Sequence, residues 1–207
     1  MPNSTDTEEL LDKLRIAQLV QNWGTWRDAG DWERLRACYT PDATMVTTWY
    51  DGAASGFVDA SAQGRAKQPK DRGASHVIGA TTAHVRGDRG TAETRITLLL
   101  RSVVSGTLAD ITVYGRFFDL LVKSDGAWRI QRRTPIYDKD CIQPVTPGEK
   151  ISLDPEKLAK YPAGFRHLAY AQESDGAKIT RTIPDPYSDE EKAVYASGRA
   201  WLDGHRR

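Results

Sequence analysis

The stretch SHVIGATTAHVRGDRGTAETRITLLLR, residues 75–101, decides the architecture. Its β-branched and small residues read as two strands. The GDRG between them, residues 87–90, reads as a hairpin turn with two glycines to accept positive φ. A glycine-rich run between two strands is a hairpin, whereas a phosphate cradle sits between a strand and a helix. The pair opens on His76 and closes on Arg101. Titratable and charged groups at the ends of core-like strands either reach water or line a pocket.

Downstream of this hairpin, residues 108–123 and 128–137 read as two more long strands, joined by the turn SDGA at 124–127. Sequential strands joined by tight turns form an antiparallel meander. Upstream the pattern is helical. Thr5-x-x-Glu8 has the form of a capping box, and Ile16, Leu19, Val20, Trp23 and Trp26 recur close to a 3.6-residue period. Gly30 stops this helix, and Asp31 caps a short second one, DWERLRACY. TPDA (40–43) reads as a turn, TMVTTWY (44–50) as a strand broken by DGAASG, and FVDASAQGRAKQ (57–68) as a weak helix. Helices followed by a meander imply an α+β domain over residues 1–143, its helices packed on one face of a curved sheet. From Pro144 the composition changes. Prolines punctuate 144–162, then PAGFRHLAYAQESDG and SDEEKAVYASGRAWLDG read as helices stopped by Gly176 and Gly204. This 144–207 extension cannot form a core alone and is expected to wrap the domain or a neighbouring subunit.

A net charge of +1 over 207 residues gives no argument for nucleic acid or an anionic membrane. Six Trp, eight Tyr and four Phe suffice to anchor one core. The longest apolar run is too short to span a bilayer, and the acidic, helical N-terminus is not a signal peptide. Cys38 and Cys141 form no C-x-x-C pair, so neither a zinc site nor a disulfide scaffold is expected. The expected location is the cytoplasm.

Asp28 shares a helix face with Ala17, Gln21 and Gly24. Two small residues below a carboxylate let another element approach closely, or leave room for a ligand. Alternatively, Asp28 caps the next helix or is solvated, and His76 is a strand-end histidine bonded to a carbonyl. The remaining histidines, His84, His167 and His205, show no metal-binding spacing. No G-x-S-x-G elbow is present. Acid, base and arginine chemistry is what remains.

In this order RDAGDWERLRACYTPDA (27–43), SHVIGAT, the GDRGTAET hairpin and DGAWRIQRR (125–133) resemble the nuclear transport factor 2-like superfamily, in its SnoaL-like polyketide cyclase branch. The resemblance implies a cone-shaped half-barrel, a mainly antiparallel curved sheet with the N-terminal helices on its concave face. In the scytalone dehydratase and lindane dehydrochlorinase branches, an aspartate closing the first helix holds a histidine base on this strand. Carried over, the pair is Asp28 and His76. The dehydratases' second pocket histidine falls near Arg101, which could instead stabilise an enolate, phenolate or leaving oxygen, and the dehydrochlorinase arginine of the last strand corresponds to Arg133. Simple alternation sends Arg133 to the face opposite Trp128 and Ile130, so it meets the pocket only across a bulge. Arg27 stands where the dehydratases carry tyrosine, which argues against scytalone as the substrate. Trp49 is a candidate aromatic wall, and Tyr50 a candidate phenol donor to a substrate oxygen.

The resemblance thus implies a cofactor-independent lyase, acting by elimination, dehydration or retro-aldol cleavage on a small aromatic or polycyclic substrate. An isomerase or cyclase of the same fold is the alternative, and a non-enzymatic binding module the rival of another class. The dehydratase and dehydrochlorinase relatives also imply a homotrimer or homodimer. The short amphipathic C-terminal helix, with Tyr195, Trp201 and Leu202, agrees, since such a helix is not stable alone.

Overall fold

A computed structural model describes residues 4–180 and 183–204, the side chains of Ser4 and Thr5 excepted. The chain opens with helices α1 (Ser4–Ala29) and α2 (Trp32–Ala37). Strands β1 (Tyr39–Val46) and β2 (Asp51–Ala53) and helix α3 (Ala54–Lys67) follow. Then come β3 (Gly73–Arg86), β4 (Arg89–Val104), β5 (Thr107–Ser124) and β6 (Ala127–Pro144), and last α4 (Pro155–Leu158), α5 (Arg166–Ser174) and α6 (Asp189–Leu202). The six strands form one curved sheet in the order β2-β1-β6-β5-β4-β3. Every neighbouring pair is antiparallel except β1 with β6. Among the described residues no helix is long and apolar enough to cross a membrane.

Local chemistry accounts for most boundaries. Gly30, at φ +76°, ends α1, and the Asp31 carboxylate caps α2 by accepting from Arg34 N at 3.2 Å. The β5–β6 turn is carried by Asp125 and Gly126 at φ +53° and +76°, the primed geometry that matches strand twist. The β3–β4 hairpin differs from expectation. Only Gly87 has positive φ, at +62°. Gly90 is glycine for space, because a Cβ there would lie 3.1 Å from Ile16 and 3.2 Å from Trp128. Thr5 lies inside α1, so the helix does not begin at the expected capping box, and the Thr5 side chain is outside the described residues.

TPDA is strand, not turn. Pro41 cannot donate to a ladder, and it falls where the β1–β6 register breaks between Tyr39 and Thr44, so nothing is lost there. Trp49 and Tyr50 consequently sit in the β1–β2 connection.

One face of the sheet carries the core. In β4 the inward residues are Ala92, Thr94, Ile96 and Leu98, and α1 lays Ile16, Val20 and Trp23 against that face. The close approach of α1 to β3 depends on Gly24, where a Cβ would lie 2.6 Å from Ile78 Cγ1. Gly24→Ala is therefore expected to cost roughly 1–3 kcal/mol of overpacking, which outweighs the ~0.5–1 kcal/mol of helix propensity it gains. A urea unfolding midpoint no lower than that of the parent chain would refute this.

The extension packs on both faces. On the concave side α5 buries Leu168, Ala169, Tyr170 and Ala171. On the convex side α6 sits over Thr91 and Phe118, with Gly198 in direct contact with both. There the Arg116 guanidinium donates to Glu191 of α6 and to Asp138 of β6, and it reaches Tyr195 Oη at 3.2 Å.

Candidate active site

The close seating of α1 on β3 brings Asp28 onto His76. Asp28 Oδ2 accepts from the backbone N–H of His76 at 2.6 Å, and Oδ1 lies 2.7 Å from its Nδ1. The carboxylate therefore fixes both the strand and the ring. An ionised carboxylate only accepts, so in the neutral ring this contact places the proton on Nδ1 and leaves Nε2 its lone pair. The imidazole is 11% exposed and the carboxylate 24%. The Trp23 ring meets the imidazole edge-on, with centroids 5.4 Å apart.

His76 faces a cavity of about 50 Å³ in the mouth of the cone. Trp23, Phe57, Leu98 and Phe117 form its apolar walls, and Arg27, Thr48, Tyr137 and Gln172 are among its polar ones. Burial holds the Tyr137 phenol well above its ordinary pKa, so it stays a proton donor. Trp49 lines the cavity.

The other three candidates lie elsewhere. Tyr50 packs against Trp49 and Phe57 but donates its hydroxyl to Ala53 O at 2.8 Å, outside the cavity lining. Arg101 is on the convex face. Its parity is opposite to that of inward Leu98, its side chain is 45% exposed, and it makes a two-pronged pair with Asp110, its cross-strand neighbour, at 2.7 and 2.8 Å. It does not reach the cavity.

Arg133 does point inward. The pairings Leu121 with Ile130 and Leu120 with Arg132 leave one extra residue, Gln131, in β6. This bulge reverses the alternation and sends Arg132 out and Arg133 in. Yet Arg133 is not in the cavity wall. It is 0% exposed, one layer beneath, packed against Trp23 and Phe117 with ring centres 4.4 and 4.2 Å from Cζ. It donates to both oxygens of buried Asp119 at 2.7 and 2.6 Å, while its Nη1 has no partner.

The extension supplies what motif reading missed. Thr48 Oγ1 donates to Gln172 Oε1 of α5 at 2.5 Å, and Thr180 N donates to Thr48 O at 2.7 Å. α5 is in turn hung from Asp140 of β6, a fully buried carboxylate that accepts from His167 N, His167 Nδ1 and Leu168 N at 2.7, 2.8 and 2.9 Å. A larger hollow of about 430 Å³ lies wholly within the extension, lined by Lys160, Phe165, Lys178 and Glu190 among others, and holds no His–Asp pair. Among the described residues no three His, Cys, Asp or Glu side chains converge as a metal site. Cys38 is buried, which pushes its thiol up to about 12 and leaves it unreactive.

Residues 8–134 match the SnoaL-like domain family. The chain is 28% identical over 205 residues to pea pathogenicity protein 2 of Fusarium vanettenii, spanning 95% of this chain and 88% of that one. A provisionally assigned scytalone dehydratase from Novosphingobium aromaticivorans superposes with a TM-score of 0.56 at 18% identity, over 72% of this chain and 99% of that one. A type 2 hexachlorocyclohexane dehydrochlorinase superposes at 0.50 and 13% identity, over 72% and 98% of the two chains. At these identities the likeness to the two structures is one of fold.

Proposed function

Because the chain belongs to the SnoaL-like domain family, with a fold shared by a dehydrochlorinase, we propose that it is an acid–base lyase of small aromatic substrates. One observation carries the proposal: the two-point contact of Asp28 with the backbone N–H and Nδ1 of His76, beside a partly open and mostly apolar cavity. Nε2 takes a proton from carbon next to a carbonyl. The C–H electron pair becomes an enolate. As the carbonyl re-forms, the pair moves into a C=C bond and expels the β-hydroxyl, which leaves as water with the proton returned by the imidazolium. Asp28 keeps the ring in the productive tautomer and stabilises the imidazolium between the two transfers. An isomerase would use the same first half and redeliver the proton to another carbon.

A cavity of about 50 Å³ is smaller than the ~300–1,000 Å³ of most ligand sites. A ring-sized substrate therefore enters by displacing a wall, and the Thr48–Gln172 contact between the β1–β2 connection and α5 is the seam that opens.

The test is proton exchange. Enolisable aryl ketones with and without a β-hydroxyl are incubated with the protein in heavy water and followed by NMR. Exchange at the α-carbon above the buffer rate, with conjugated enone formed only from the β-hydroxy compounds, is the expected result. Buffer-level exchange across the panel would overturn the proposal.

A further inference from the structure

Arg27 enters the cavity from the position just before Asp28. Three other cations that pack into the fold are matched by carboxylates: Arg133 by Asp119, Arg116 by Glu191 and Asp138, Lys123 by Asp12. Arg27 is not. Among the described residues its guanidinium makes no hydrogen bond or ion pair, and its aromatic neighbour is Trp32, with the ring centre 5.6 Å from Cζ. The adjacent carboxylate does not turn to it, since both Asp28 oxygens are engaged by His76. Burial, aided by repulsion from Arg65, lowers the Arg27 pKa against the attraction of Asp28. Even so, a guanidinium stays charged at neutral pH. A half-buried, permanently charged fork without a counter-ion is costly unless something from outside completes it.

We propose that Arg27 is the cationic anchor of this cavity and pairs with an oxygen anion on the substrate, so that the substrate class is aromatic acids, phenols or enolisable ketones. The proposal rests on the acid–base site described above and assigns the role first expected of Arg101. An arginine fork suits a carboxylate or enolate oxygen through two parallel N–H donors. Its place beside the His76 base puts positive charge where a carbanion's charge would move onto oxygen.

Binding tests this independently of turnover. Benzoate and its neutral isostere benzamide are titrated into the full chain, with quenching of Trp23 and Trp49 in the cavity wall as the signal. Benzoate is expected to bind about tenfold or more tightly than benzamide, the weight of one charge-assisted contact. Arg27→Met should erase that preference while leaving benzamide binding in place, and Arg27→Lys should keep part of it. Unfolding midpoints of both variants are measured alongside. In the exchange assay, Arg27→Met raises KM with kcat held if the substrate arrives as an anion, and lowers kcat if the charge develops during reaction. Failure of benzoate to bind, equal binding of the two probes, or a benzoate preference that survives in folded Arg27→Met would overturn the proposal. A chain that prefers benzoate through Arg27 yet exchanges no proton would instead keep this anchor and lose the acid–base function.

Discussion

Replacing His76 with Gln is expected to lower kcat by about two orders of magnitude or more, the usual weight of a positioned base. Asp28→Asn should do the same for a different reason. If the asparagine offers its carbonyl oxygen to the backbone N–H of His76, its NH2 group faces Nδ1. The ring then accepts at Nδ1 and carries its proton on Nε2, where it cannot act as a base. The backbone contact that ties α1 to β3 survives, so the unfolding midpoint should move little. The double variant should lose little beyond the worse single, because groups acting as one unit are not additive. A purely structural Asp28 predicts the opposite pattern, a lower midpoint with activity following the folded fraction. Near-parental kcat in either folded single variant would remove that residue from the mechanism.

The largest stability effect should come from beneath the cavity. Asp119→Ala strands a fully buried guanidinium whose Nη1 is already without a partner. Breaking such a pair from one side typically costs about 3–5 kcal/mol. The paired replacement Arg133→Met with Asp119→Leu should recover most of that loss, since two apolar groups of similar size leave no buried charge. It should also soften Trp23 and Phe117, which pack against the guanidinium and line the cavity. Urea unfolding of the three proteins measures both expectations. A loss below about 1 kcal/mol in Asp119→Ala would mean that water reaches Arg133.

Pattern reading captured the helix that ends on Asp28, the meander and the strand that begins near His76, because 3.6-residue and two-residue periods and glycine turns are written locally. It failed where pairing between strands decides. Whether Arg133 faces in depends on Gln131 being unpaired against β5, and a one-residue bulge leaves no mark in the alternation of a single strand. Arg101 was legible and misjudged. Leu98 faces in, so the residue three further along faces out, and alternation outweighs a place at the end of the strand pair. Tyr50 was lost because the β1–β2 connection turns its hydroxyl onto Ala53 O, a detail of loop geometry. Arg27 was visible only as a departure from the dehydratase tyrosine. Its meaning needed the structure, which shows a charge without a counter-ion. Gln172 had no signal at all, since nothing local says that a helix 124 residues further on in the chain will reach Thr48.

The way α5 hangs over the cone has a consequence for how such proteins diversify. Asp28 and His76 lie inside the 8–134 segment that defines the family, whereas Gln172 and the Asp140–His167 suspension lie beyond it. Under the proposed function, the proton-transfer pair and the Arg27 anchor lie in the family segment, and part of the cavity lining comes from beyond it. Substitutions, insertions or wholesale exchange in the tail can reshape the roof of the cavity without disturbing the proton-transfer pair. If the family segment carries the proposed chemistry, change confined to the C-terminal extension would alter what the cavity admits and leave the Asp28–His76 contact as it is.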